Sequence, residues 1–333
     1  MRSIGAAILA AVFALGASGA SPAPKAAAGY RLDIVTVLGA IISGLSRDGD
    51  FLLFSNLADG RLYRRGPDGA IEAFGPEFPH GLDVIGDPTG PYRVVRYGAN
   101  YLVAQGWTPT NSEAGPNDHA LIEVDENGIL GVLHGDFWNP FNFLITGDAI
   151  FIVDAAKNTI EWLDAEGGKT TILGLPRLAA SGSAMQSLSP TEFSKQQGYE
   201  FDAVPTGIAL RDGRISVSLF GGFPFTGQSG QVISFSESGG ESQIDVSGLD
   251  APVDIAWKDG FLLILEHGAY DQATGFQPGT GRLIAFDDMH GGRSVLLDGL
   301  TRPVSVLVWD DDEIVVSELG GNLYFLTPQS GAQ

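Results

Sequence analysis

Apolar residues recur along this chain in short runs separated by polar turns, and five of the runs open on a proline. They are Pro79-His-Gly-Leu-Asp-Val, Pro140-Phe-Asn-Phe-Leu-Ile, Pro205-Thr-Gly-Ile-Ala-Leu, Pro252-Val-Asp-Ile-Ala-Trp and Pro303-Val-Ser-Val-Leu-Val. A second apolar run follows each one: Tyr101-Leu-Val-Ala-Gln, Ile150-Phe-Ile-Val-Asp, Ile215-Ser-Val-Ser-Leu, Leu262-Leu-Ile-Leu-Glu and Ile314-Val-Val-Ser-Glu. Short polar turns such as Gly147-Asp148, Asp212-Gly213 and Asp259-Gly260 join the two, a hairpin signal. The second unit instead carries a longer Gly/Pro-rich turn around residues 86–90. Third strands are expected over 121–125, 159–164, 231–235, 282–287 and 322–326, and fourth strands as at 169–173 and 294–297.

The Pro-led starts lie between 47 and 65 residues apart. Four strands at that period are the pattern of propeller blades. A weaker unit without the proline runs through 40–47, 51–57, 60–65 and 70–74, which makes six starts. The last unit stops at Leu326 after three strands, and residues 30–38 form an orphan strand ahead of the first. Joining them predicts an all-β, six-bladed β-propeller closed by the N-terminal strand pairing into the last blade, with no exposed edge at the seam. A pair of β-sandwiches would not give five Pro-led starts a common phase.

Composition fits this ring. The 46 glycines serve tight hairpins that need positive φ. Without cysteine, disulfide scaffolds, thiolate metal sites and cysteine nucleophiles are excluded. The net charge of −21 offers no basic stripe, which argues against nucleic acid. Residues 1–20 read as a signal peptide: Arg2, then an apolar run over 4–16 that is short for a membrane span, then Ser18 and Ala20 at the −3 and −1 positions. Losing Arg2 would take the net charge to −22. A linker is expected over 21–29, the propeller over 30–328 and a tail over 329–333. The expected product is a periplasmic or secreted monomer with no membrane span.

Strand direction sorts the loops. Loops between second and third strands, and between blades, share one rim, the top. The long ones at 106–120, 220–230, 267–281 and 174–203 all fall there, and long loops on one end of a scaffold carry binding function. Two polar rings point toward that end. The inner-strand starts contribute Gly81, Asn142, Gly207, Asp254 and Ser305; the ends of the second strands contribute Asn56, Gln105, Asp154, Glu266 and Glu318, with Leu219 breaking the series. A funnel is expected, with Gln105, Asn142 and Asp254 toward its floor and His80, Trp107, Phe220, Phe223, Phe225, Tyr270 and Phe276 at its rim. Its ligand is expected to be a small molecule.

The stretch Val204-Pro-Thr-Gly-Ile-Ala-Leu-Arg-Asp-Gly-Arg-Ile-Ser-Val-Ser-Leu-Phe-Gly-Gly-Phe-Pro-Phe resembles the ScyD/ScyE family, named for cyanobacterial clusters that make the pigment scytonemin. Asn139-Pro-Phe-Asn, leading to Val153-Asp-Ala and Asn158-Thr-Ile, resembles the preceding blade of that family. The resemblance spans residues 138–235 and departs at Leu219, where a polar residue is expected. It implies a six-bladed propeller related to NHL repeats, without a defined reaction, that takes a small organic ligand or a secondary-metabolite intermediate.

Three chemistries compete with simple small-ligand binding. Gluconolactonase-like propellers hold a divalent cation on the axis with oxygen ligands. That analogy would make Asn142 and Asp254 ligands to Ca2+, helped by Glu266 or Glu318, in a metal-dependent lactonase. A metal-free lyase or cyclase would draw an acid–base pair from Glu266, His267, Glu318 and Asp154. A module binding protein or glycan is the third. Nucleophile-elbow and zincin motifs are missing, and the acidic run Asp310-Asp-Asp-Glu313 falls on a bottom turn.

Overall fold

A computed structural model of the chain describes residues 23–83, 86–106, 117–147, 149–181, 198–310 and 313–329. The expected signal peptide and Trp107 lie outside them. Six antiparallel blades of four strands make up the described ring, blade five carrying a short fifth strand on its outer edge. Their inner strands are Ile42–Asp48, Pro91–Tyr97, Pro140–Thr146, Pro205–Arg211, Pro252–Lys258 and Pro303–Val308. Successive strands step outward in sequence order in blades one to four. In blade six the outermost place is taken by Tyr30–Thr36, paired residue for residue with Asn322–Pro328 from Tyr30↔Pro328 to Thr36↔Asn322. The N-terminal strand thus closes the ring as the orphan strand predicts. Among the described residues no helix is long and apolar enough to cross a membrane.

Each blade faces its neighbour through an apolar layer, and six buried clusters occupy the six junctions. Between blades five and six, for example, Val253, Leu263, Leu265, Leu283 and Leu297 meet Val306, Ile314, Val316, Tyr324 and Leu326. This layer is why strands buried on both faces read as nearly unbroken apolar runs such as Leu262-Leu-Ile-Leu. The hairpins are as the dipeptides suggest: Asp212 and Gly213 have φ of 51° and 71°, and Asp259 and Gly260 have 49° and 85°. The leading prolines have a packing role as well. A Cβ on Gly230 would lie 2.2 Å from Pro252 Cδ, and one on Gly281 would lie 2.6 Å from Pro303 Cδ. Each proline ring is seated in space that the previous blade keeps open with glycine.

Two expectations are corrected. The inner strand of blade two begins at Pro91, not Pro79, and turns at Gly98 in two residues, as blades one, four and five do. Residues 75–90 are instead an excursion from the blade-one to blade-two crossover, with a small ladder of Gly81↔Thr89 and Leu82↔Pro88. The sequence misleads here because Pro79 and Pro91 both precede apolar residues, while Pro91-Tyr-Arg-Val-Val-Arg carries two arginines. The linker is also partly ordered: Lys25 and Ala26 pair with Asp298 and Leu297 on the outer edge of blade five.

Candidate functional site

The residue two places into each inner strand faces the axis. Correcting blade two changes this ring to Gly44, Arg93, Asn142, Gly207, Asp254 and Ser305. Asp254 is its hub. Its Oδ2 accepts from the Ser305 hydroxyl at 2.7 Å and the Val306 amide at 3.0 Å, and its Oδ1 from the Ile255 amide at 3.0 Å and Asn142 Nδ2 at 3.3 Å. Arg93 Nη1 stands 4.0 Å from Oδ2. The Leu45 amide donates to the Ser305 oxygen, which directs the Ser305 proton to Asp254. Asn142 Oδ1 accepts from the Phe143 amide, which turns its Nδ2 to Asp254. Four donors bond the carboxylate and a guanidinium faces it, so it is met as an anion. Burial pushes its carboxyl up, and Arg93, Ser305 and the two amides pull against that. Burial likewise lowers the Arg93 guanidinium. Five blades meet at this hub. Glycine in the other positions is enforced: a Cβ on Gly44 would lie 2.7 Å from Tyr92 O and 3.0 Å from Arg93 Cβ. One on Gly207 would lie 2.7 Å from Asp254 Cα.

This chamber does not fit a divalent ion. Asn142 and Asp254 do come together as expected of ligands, but the guanidinium faces the carboxylate and Asn142 offers nitrogen. A hard cation wants six or more oxygens. The remaining void is about 10 Å3, too small for a hydrated ion. Among the described residues no three His, Asp or Glu side chains gather as a cation site.

The ring at the ends of the second strands has a different task. Each member pairs with the first residue of its inner strand, as in Pro140↔Asp154, Pro252↔Glu266 and Pro303↔Glu318, and its side chain ties down the crossover entering that strand. Asp154 accepts from the amides of Trp138 and Asn139, both at 2.8 Å. Glu266 accepts from the Asp250 amide at 2.9 Å and pairs with Arg282. Glu318 accepts from the Thr301 amide, from Asn322 Nδ2 at 2.8 Å and from the Tyr324 hydroxyl at 2.9 Å. Asn56 Oδ1 takes the Ile41 amide at 2.8 Å, and Gln105 Nε2 donates to Pro79 O at 2.9 Å. These are buried clamps, bonded to crossovers and to neighbouring side chains, with Gln105 Oε1 buried and without a hydrogen-bond partner. His80 stands with its Nδ1 3.0 Å from Phe78 O, at the base of the 75–90 excursion.

The rim is aromatic. Phe220, Phe225, Tyr270 and Phe276 pack edge-on or tilted at centroid distances of 4.8 to 5.9 Å, and Phe223 joins through Phe225 at 6.1 Å. Beside them a cleft of about 430 Å3 opens between residues 224–227 of blade four and 270–273 of blade five. Phe225 and Tyr270 line it, and Thr226 Oγ1 there is buried without a partner. His267 closes the inner end of the cluster, its ring 4.6 Å from Phe276. Its Nδ1 lies 2.8 Å from Pro303 O and its Nε2 3.3 Å from Arg302 Nε. The first contact needs a proton on Nδ1 and the second a lone pair on Nε2, so the ring is neutral. Burial, with Arg302 beside it, lowers its pKa to about 3. Arg302 also binds Asp87 at 2.6 Å, so the 75–90 excursion reaches across the top face to the crossover between blades five and six. Arg93, Asp87 and Arg302 are the site residues that sequence reasoning misses. The arginines were legible only as rare cations in an acidic chain, and Asp87 as a turn residue.

The His267 assignment has a stability consequence. A histidine whose folded pKa lies below its unfolded value of about 6.5 costs stability as pH falls from 6.5 toward 3, because only the unfolded chain takes up the proton there. In urea unfolding the wild type should lose about 2.5 kcal/mol relative to His267→Gln between pH 7 and pH 4.5. A constant difference across that range would show that His267 takes up its proton in the fold as it does in the unfolded chain.

No family model and no curated protein sequence matches the chain. Solved structures do. A gluconolactonase from Xanthomonas campestris superposes with a TM-score of 0.57 at 13% identity over 90% of each chain. A streptogramin B lyase gives 0.54 at 13% over 90% of this chain and 98% of its own. A catalytically inactive virginiamycin B lyase from Staphylococcus aureus, with quinupristin, gives 0.51 at 14% over 89% and 83%. The chain shares the six-bladed β-propeller fold with these proteins. At such identities the likeness speaks for the fold alone.

Proposed function

We propose that this protein is an exported, monomeric, metal-free propeller that holds a small organic ligand of largely apolar, aromatic character on its top face. The observation that carries the reading is the cleft of about 430 Å3 walled by Phe225 and Tyr270, within the range of small-molecule sites. The ScyD/ScyE-like stretch at 138–235 runs into this wall at Gly222-Phe-Pro-Phe and favours a secondary-metabolite intermediate as the ligand. Gluconolactonase and streptogramin B lyase among the fold's neighbours keep lactone and lyase chemistry in view. The metal-dependent form of that chemistry is disfavoured by Arg93 on the axis. The acid–base form is disfavoured by the clamping of Asp154, Glu266 and Glu318 and by the neutral, twice-bonded His267.

Titration with Nile red, followed by competition with neutral aromatic metabolites, tests the assignment. Phe225→Ala and Tyr270→Ala should each weaken binding by about tenfold or more, the worth of one buried aromatic face. Their thermal midpoints should stay close to that of the wild type, because both residues stand outside the six inter-blade layers. Binding indifferent to both substitutions would remove the cleft as the site.

A further inference from the structure

We infer that Arg93 is the resident cation of the propeller axis, standing where a divalent ion would otherwise neutralise Asp254. The argument begins with charge. The Asp254 side chain is 4% exposed, and four donors hydrogen-bond its two oxygens, which fixes an anion in the interior. A buried anion needs a countercharge, and a lone one would be strongly destabilising. Among the described basic side chains, Arg93 is the one recorded in an ion pair with it, at 4.0 Å, with 18% of its own side chain exposed.

The surroundings are shaped to this arginine. Gly44 on the neighbouring blade leaves room for its stem, since a Cβ there would meet Arg93 Cβ and Cγ at 3.0 Å. Asn142 turns its amide nitrogen, not its oxygen, to Asp254. The ring therefore supplies donors to one carboxylate, whereas a cation site would supply acceptors to an ion. Blade two provides the cation, blade five the anion, and blades one, three and six the donors that orient them. The charge is thus built into the chain, and the axis holds blades together without a bound ion. This is independent of what the rim cleft takes.

Calcium is the probe. The wild-type thermal midpoint should be the same in Ca2+, Mg2+, Zn2+ and EDTA. Arg93→Ala leaves Asp254 unpaired and should lower the midpoint by roughly 5–15 °C. Ca2+ should restore part of that loss, because space is opened beside a carboxylate, and the restoration should vanish in Arg93→Ala with Asp254→Asn. Arg93→Lys, which keeps the charge, should stay insensitive to calcium. A wild-type calcium shift that disappears in Asp254→Asn would overturn the inference, as would an Arg93→Ala protein as stable as wild type. If Arg93→Ala does not fold, the wild type and Arg93→Lys decide: insensitivity of both supports a resident arginine, and a calcium shift lost in Asp254→Asn refutes it.

Discussion

A variant lacking residues 1–37 should fail to form a folded monomer, while one lacking residues 1–20 melts cooperatively. The strand Tyr30–Thr36 supplies the fourth strand of blade six, and its loss would uncover the whole ladder of Asn322–Pro328. Tyr30 and Leu32 pack on the layer between blades five and six, and Val35 and Val37 on the layer between blades six and one. Two of the six junctions would be stripped at once, in a fold whose total stability is on the order of 5–15 kcal/mol. The bared strand is also an edge that invites intermolecular pairing. Circular dichroism and size-exclusion chromatography should report aggregate or unfolded chain, and a peptide of residues 23–38 added in trans should restore the folded signal. A cooperative, wild-type-like melt of the truncated chain would mean that the ring closes by other contacts.

Glu318→Ala should lose about 3–5 kcal/mol in urea unfolding, since three donors, the Thr301 amide, Asn322 Nδ2 and the Tyr324 hydroxyl, are left without their acceptor in a buried place. Burial and the Glu318 carboxylate already push the Tyr324 hydroxyl above its usual range, a sign of how closely the two groups are held. Glu318→Gln keeps one acceptor oxygen and should lose about half as much. The pair of variants separates a clamp from a catalytic acid. A clamp loses stability in proportion to acceptors removed. A catalytic acid would lose turnover on a ligand found for the top face at nearly unchanged stability, and that outcome would return Glu318 to the reacting groups.

Much of the fold was legible because its repeat is carried by local chemistry. Proline at a strand start, an apolar run, and Asp-Gly at a two-residue turn each act within a few residues, so blades three to six could be read directly. Blade two could not. Pro79 and Pro91 offer the same local signal, and what decides between them is that Pro91 pairs with Gln105 and sets Arg93 on the axis. The rim aromatics were visible for a similar reason: Phe220 to Phe225 and Tyr270 to Phe276 are two dense clusters on loops that topology places side by side. His267 and the carboxylates were visible as residues, but their roles were not. A Glu at a strand end reads alike whether it faces a funnel or the amides of the next crossover.

Blade count, strand order and the closing of the ring by the N-terminus follow from local signals in the chain, because strands and tight turns are set by side-chain period and φ preference over short distances. Which charges meet is settled by the assembled ring. Arg93 and Asp254 are far apart along the chain, and nothing local to either says that they share the axis. Burial then makes their pairing consequential: in water two such groups would be nearly indifferent to each other, and inside the ring each is the other's condition for being there.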